Sequence, residues 1–98
     1  MPLLDDILRR AHESFSGSDR DKAVDLLLGA RIHDGSLAEA RLQRCALVAS
    51  KGSLETLQYY VKLLAVDFRD VIVAGEYEPV GGELVRVRDL SRAFDVSV

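Results

Sequence analysis

Three Gly-Ser steps cut the N-terminal part of this chain and constrain its fold more than any other feature. They are Gly17-Ser18, Gly35-Ser36 and Gly52-Ser53, recurring every 17 or 18 residues. Glycine enters the left-handed conformation that closes a helix without steric penalty. The serine after it offers a hydroxyl to the open N–H groups of the next helix. Ser36 precedes Glu39 at the capping-box spacing, Ser18 precedes Asp21 in a weaker version, and Ser53 has Glu55 in the first turn, where negative charge suits the helix dipole. The steps predict four helices in residues 1–75, joined by short turns that favour antiparallel neighbours.

The intervals between the steps have helical periodicity. The first interval places Leu3, Leu4, Ile7, Leu8, Ala11 and Phe15 on one face, with Pro2 at the helix start. The second carries Ala23, Val24, Leu27, Leu28 and Ala30, with His33 in its last turn. Gly29 lies inside it and is expected to mark close approach of a neighbour. The third aligns Ala38, Leu42, Cys45, Ala46 and Ala49, a row small enough to admit a partner helix at short range. The fourth, over 54–74, has a main face of Leu57, Tyr60, Val61, Leu64, Ala65, Phe68 and Ile72. Tyr59, Leu63, Val66 and Val73 extend it nearly all round. A helix apolar on every side is buried, so this one is expected at the centre of the fold or against another subunit.

Beyond Gly75 the helical pattern stops, because Pro79 and Gly81-Gly82 cannot continue it. Glu83–Arg88 alternates like a short strand, a hairpin with 76–80 is one way to pair it, and Asp89 can cap a last turn holding Leu90 and Phe94, with 95–98 loose. A spacing near 35 residues for two helices approaches that of helical solenoids. The helices share only their caps, however, and no tetratricopeptide signature is present.

With 6% aromatic residues and no Trp, the core is aliphatic. A net charge of −3 lacks the basic footprint of a nucleic-acid binder. The single cysteine, Cys45, cannot form a disulfide within the chain, which points to a reducing compartment. The start, Met1 to Asp6, has no basic signal-peptide region. No apolar run reaches the roughly 20 residues of a membrane span. A cytoplasmic protein, read as a small helical bacterial protein, is the expectation.

No reactive constellation converges. Cys45 sits in an apolar row and reads as a small core residue. His12 and His33, even with Glu13 or Asp34 nearby, lack metal-ligand spacing and read as exposed helix residues. Gly81-Gly82 has no following Lys-Ser/Thr and is not a phosphate loop. Asp67, Arg69 and Asp70 read as structural ion pairs on a buried helix. Arg41, Arg44 and Lys51 form a basic row, read as a solvated face or a docking face for an acidic partner. A helix-turn-helix reading fails because the helix opening Ser53-Leu54-Glu55 has no base-reading side chain in its first turn. The strand Leu84-Val85-Arg86-Val87-Arg88 carries backbone groups that need a partner.

These readings add up to a mainly α chain. A four-helix antiparallel, bundle-like domain occupies 1–75, and a C-terminal arm or small hairpin, 76–98, packs on the domain or on a partner subunit. The expected role is a non-catalytic, self-associating protein-interaction module whose partner is another protein or a second copy in a homodimer, with no cofactor, no metal, no nucleic acid and no membrane. The alternative is a small acidic regulator or immunity-type inhibitor that blocks another protein. The candidate interaction surface is Arg41, Arg44, Lys51, Tyr59, Val66, Arg69, Val73, Leu84, Val85 and Val87.

Overall fold

The computed structural model describes residues 5–29 and 39–90. Among them run α1 (Asp5–Ser14), α2 (Ser18–Leu28), α3 (Glu39–Ser50), α4 (Leu54–Leu64), α5 (Phe68–Glu76), β1 (Tyr77–Val80) and β2 (Glu83–Arg86). The expectations for Pro2, Leu3, Leu4, Ala30, His33, Asp34, Gly35-Ser36, Ala38, Phe94 and 95–98 lie outside the described residues.

Two of the Gly-Ser steps are helix junctions. Gly17 and Gly52 take φ of 60° and 79°, and Lys51 joins Gly52 in the left-handed region at 52°. Ser53 caps α4, accepting the Thr56 N–H at 3.3 Å. Ser18 does not cap: it is the first residue of α2, and Gly17 before it supplies no side-chain bond. Gly29 is the C-cap of α2, not a point of close packing, and its N–H returns to the Asp25 carbonyl.

The long fourth helix is in fact two. Asp67 is the N-cap of α5 and accepts the Arg69 N–H at 3.2 Å. The Ala65 and Val66 N–H groups turn back tightly to Lys62 and Leu63. This short turn meets the open carbonyls at the end of α4. The break re-aims the second half. Val66 becomes 78% exposed, while Val71 and Gly75 become buried.

The central helix is α3, contrary to expectation. Leu42, Gln43, Arg44, Cys45, Ala46, Leu47, Ala49 and Ser50 are all buried, and α3 packs against α1, α4 and α5. Its row of small residues does admit a partner closely. A Cβ placed on Gly75 of α5 would lie 2.6 Å from the Cys45 Cα and 2.8 Å from its carbonyl oxygen. Contact this tight requires glycine on one side of the α3–α5 crossing. The remaining core is aliphatic apart from Phe15, with Ile7, Ala11, Leu27, Leu57, Leu64 and Leu90 joined to the α3 residues.

The chain then turns from α5 directly into an antiparallel hairpin, with Tyr77 opposite Arg86 and Val80 opposite Glu83. Gly81 and Gly82 form the two-residue loop at φ of 59° and 86°. That pair of positive angles belongs to the turn whose twist matches the strands.

Candidate functional site

The polar centre of the molecule is Glu76, the last residue of α5, which is fully buried. Arg41 reaches it from α3 with both arms of its guanidinium, Nε to Oε2 at 2.7 Å and Nη2 to Oε1 at 2.8 Å. Arg86 donates from β2 through Nε to Oε1 at 2.9 Å. The Leu90 N–H donates to Oε2 at 3.2 Å, and the Cys45 thiol to the same oxygen at 3.7 Å. The Glu76 backbone carbonyl accepts the Val87 N–H at 2.8 Å and the Arg88 N–H at 3.4 Å. One residue thus ties together α3, α5, β2 and the segment beyond it.

The surrounding charges complete the arrangement. Arg86 also donates to Asp89 at 3.0 Å, so two guanidiniums face two carboxylates. Arg88 donates to the Gly75 carbonyl at 2.7 Å and pairs with Glu78. A second buried pair lies beside the first. Arg44, only 5% exposed, donates to Asp6 of α1 at 2.8 and 3.3 Å and to the Leu90 carbonyl at 3.1 Å. No buried side-chain nitrogen or oxygen among the described residues lacks a partner, the condition under which a buried ionic network stabilises a fold.

This electrostatic setting shifts the titration of three groups, Glu76, Arg41 and Cys45. Burial alone would raise the Glu76 carboxyl, but the paired Arg41 guanidinium outweighs it, and with the Leu90 N–H and Arg86 holds the carboxyl below the ordinary carboxylate range. Arg41 is held above its usual value, chiefly by its hydrogen bonds to Glu76. Burial and then the Glu76 charge push the Cys45 thiol up to about 12. A neutral buried thiol is not a nucleophile. A carboxylate whose acceptor positions are filled has none left for substrate.

The expected site residues are therefore divided. Arg41 and Arg44 belong to buried or half-buried ion pairs and do not form a solvated row; Lys51 alone of that row is exposed. Asp67, Arg69 and Asp70 are exposed, and no ion pair among the described residues includes them. Asp67 instead caps α5. Tyr59, Val66, Val73, Leu84, Val85 and Val87 are all exposed, the last three on or just after β2.

Glu76, Asp6, Arg86 and Arg88 were absent from the sequence reading of the site. The available signal is arginine at 41, 44, 86 and 88, set among Ala, Leu, Cys and Val side chains. So many cations beside a core need buried carboxylates.

Elsewhere, an open groove between α2 and α4 is lined by Lys22, Asp25, Leu26, Leu54 and Gln58 and gathers no thiol or imidazole. Among the described residues no cluster of His, Cys, Asp and Glu could hold a metal ion, and no helix is long and apolar enough to cross a membrane. No family model, no curated protein and no solved structure matches the chain.

Proposed function

We propose that this chain is a non-catalytic protein-interaction module that displays its C-terminal hairpin as the contact surface and associates with itself. The observation that carries the reading is a mismatch between how firmly the hairpin is held and how little of it is covered. Its base is fixed by Glu76, Arg86 and Arg88. Its outer part leaves Leu84 63%, Val80 55%, Val87 45% and Val85 40% exposed. A free two-stranded hairpin is marginal in water, so fixing one while leaving its apolar side chains in solvent favours a surface with a partner. The inward-facing chemistry supports the same reading, because the conspicuous ionisable groups are saturated by one another.

Sedimentation across a concentration series tests this. The chain is expected to gain mass with concentration, and replacement of Val80, Val85 and Val87 together by Ser is expected to leave a monomer with unchanged helical circular dichroism. A native chain that stays monomeric to about 1 mM, where an association of only about 4 kcal/mol would be visible, contradicts the proposal.

A further inference from the structure

The two edges of the hairpin differ, and the difference selects a partner. Val80 and Glu83 flank a two-residue loop, so they form a hydrogen-bonded pair, and pairs alternate from there along the ladder. The Val87 N–H bonded to the Glu76 carbonyl at 2.8 Å keeps the same alternation. Glu76, Glu78 and Val80 therefore aim their backbone groups at the opposite strand, as do Glu83, Val85 and Val87. Tyr77 and Pro79 face outward on β1, and Leu84 and Arg86 face outward on β2.

On β1 the outer edge is blunted by Pro79, which has no N–H to offer. On β2 nothing comparable is present. Leu84 and Arg86 each present a donor and an acceptor, β2 is exposed throughout, and no backbone bond to those outward groups exists among the described residues. Natural sheets protect such edges unless the edge is used.

We propose that the outer edge of β2 pairs antiparallel with β2 of a second copy, with Val85 on the twofold axis. The proposal rests on the self-association reading above and specifies its geometry. In this register Leu84 of each copy exchanges both backbone bonds with Arg86 of the other, so every outward group on both strands is used. Val85 meets its own counterpart, Arg86 lies across from Leu84, and Glu83 lies across from Val87. No like charges face each other, which is what stable cross-strand pairing demands. Centring on Arg86 instead sets two guanidiniums opposite. Centring on Leu84 brings Arg86 against Gly82, whose φ of 86° is not extended. An isologous contact of this kind closes on itself and gives a dimer, not a filament.

Two substitutions test the register. In this geometry the two Val85 residues form a non-hydrogen-bonded pair with Cα atoms about 4.5 Å apart, within the span of a disulfide. Val85→Cys is therefore expected to give a covalent, reducible dimer under mild oxidation. Val73→Cys, on the exposed side of α5, and the native chain, whose Cys45 is buried, are expected to give none.

Leu84→Pro copies onto β2 the device that Pro79 provides on β1 and is expected to abolish association, with retained amide protection at Val87 and Leu90 showing that the hairpin stays folded. Leu84→Ala keeps the N–H and is expected to retain association within about tenfold. If Leu84→Pro associates like the native chain, or Val85→Cys fails to cross-link while the native chain dimerises, the edge pairing is wrong and the interaction-module reading survives. A native chain that is monomeric overturns both. Shifts of the Leu84 and Arg86 amides caused only by a strand of another protein overturn the second-copy assignment.

Discussion

The α2–α4 seam and the α3–α5–hairpin junction are held by different physics. The seam is aliphatic: Leu27 and Leu57 are fully buried there among other apolar side chains, and it gains stability from area removed from water. The junction also contains apolar contacts, at Val71 and Leu90, but its connections to the hairpin are hydrogen bonds and ion pairs centred on Glu76. Burial of area tolerates approximate fit. An ionic hub requires its partners in place, because the buried Glu76 carboxylate depends on the guanidiniums of Arg41 and Arg86 that face it. The hairpin is therefore attached specifically, and its position depends on charge where the α2–α4 seam depends on volume.

The widest separation of the two regions comes from truncating one residue in each. Glu76→Ala should cost about 3–5 kcal/mol, the range for breaking a buried ion pair, and Leu57→Ala about 2–5 kcal/mol from lost burial and a cavity. Urea unfolding at neutral and at acid pH distinguishes them. The Leu57→Ala loss should be nearly the same at both, whereas the Glu76→Ala loss should shrink in acid. The folded carboxyl of Glu76 titrates below its unfolded value. Its contribution is therefore complete above the ordinary carboxylate range and is lost as pH falls through that range toward the folded value. Equal pH dependence in the two variants would erase the distinction.

Gly75→Ala comes next. Because the added Cβ meets Cys45 backbone atoms and its Cβ, all under 3.0 Å away, no side-chain rotation relieves it. A cost of about 1–3 kcal/mol is expected. Gly29→Ala, at the end of α2, should change stability by less than about 1 kcal/mol.

On the alkaline side, the raised Cys45 pKa makes a smaller, opposite contribution. The unfolded thiol ionises first, so stability should decline between roughly pH 9 and pH 12. Cys45→Ser should show less of that decline in thermal unfolding followed at pH 8 and pH 10.

The N-cap side chains also have small effects. Ser53→Ala and Asp67→Ala should each cost about 1 kcal/mol, and a zero effect at Asp67 would argue against the break between α4 and α5.

Much of the helical body was legible in the sequence. Gly17 and Gly52 announce their junctions because only glycine takes those angles cheaply, and Ser53 caps as its position suggests. The division at Asp67 was legible in principle, since an aspartate ahead of Phe68-Arg69-Asp70 is a cap signal. The unbroken run of apolar side chains on either side masked it, because period counting does not weigh one polar residue against a long stripe.

The identity of the central helix is hidden in the sequence for a related reason. Arg41 and Arg44 look like a solvent-facing row, and only the tertiary fold brings Glu76 and Asp6 to them. Glu76 itself is a lone charge between Gly75 and Tyr77. Its partners stand 35 residues before it and 10 after it, distances at which local pattern carries no information.

Native-state amide exchange shows whether the hairpin and the helices form one cooperative unit fastened at Glu76. Val87 donates to the Glu76 carbonyl and Leu90 to its carboxylate. Both amides should exchange within about tenfold of the slow rate of Ala46 in the middle of α3, a difference of about 1.4 kcal/mol in opening free energy, and both should lose that protection selectively in Glu76→Gln. Exchange of Val87 and Leu90 at the rate of an unstructured peptide in the native chain, with Ala46 still protected, would show the hairpin to be a separate arm and contradict the account.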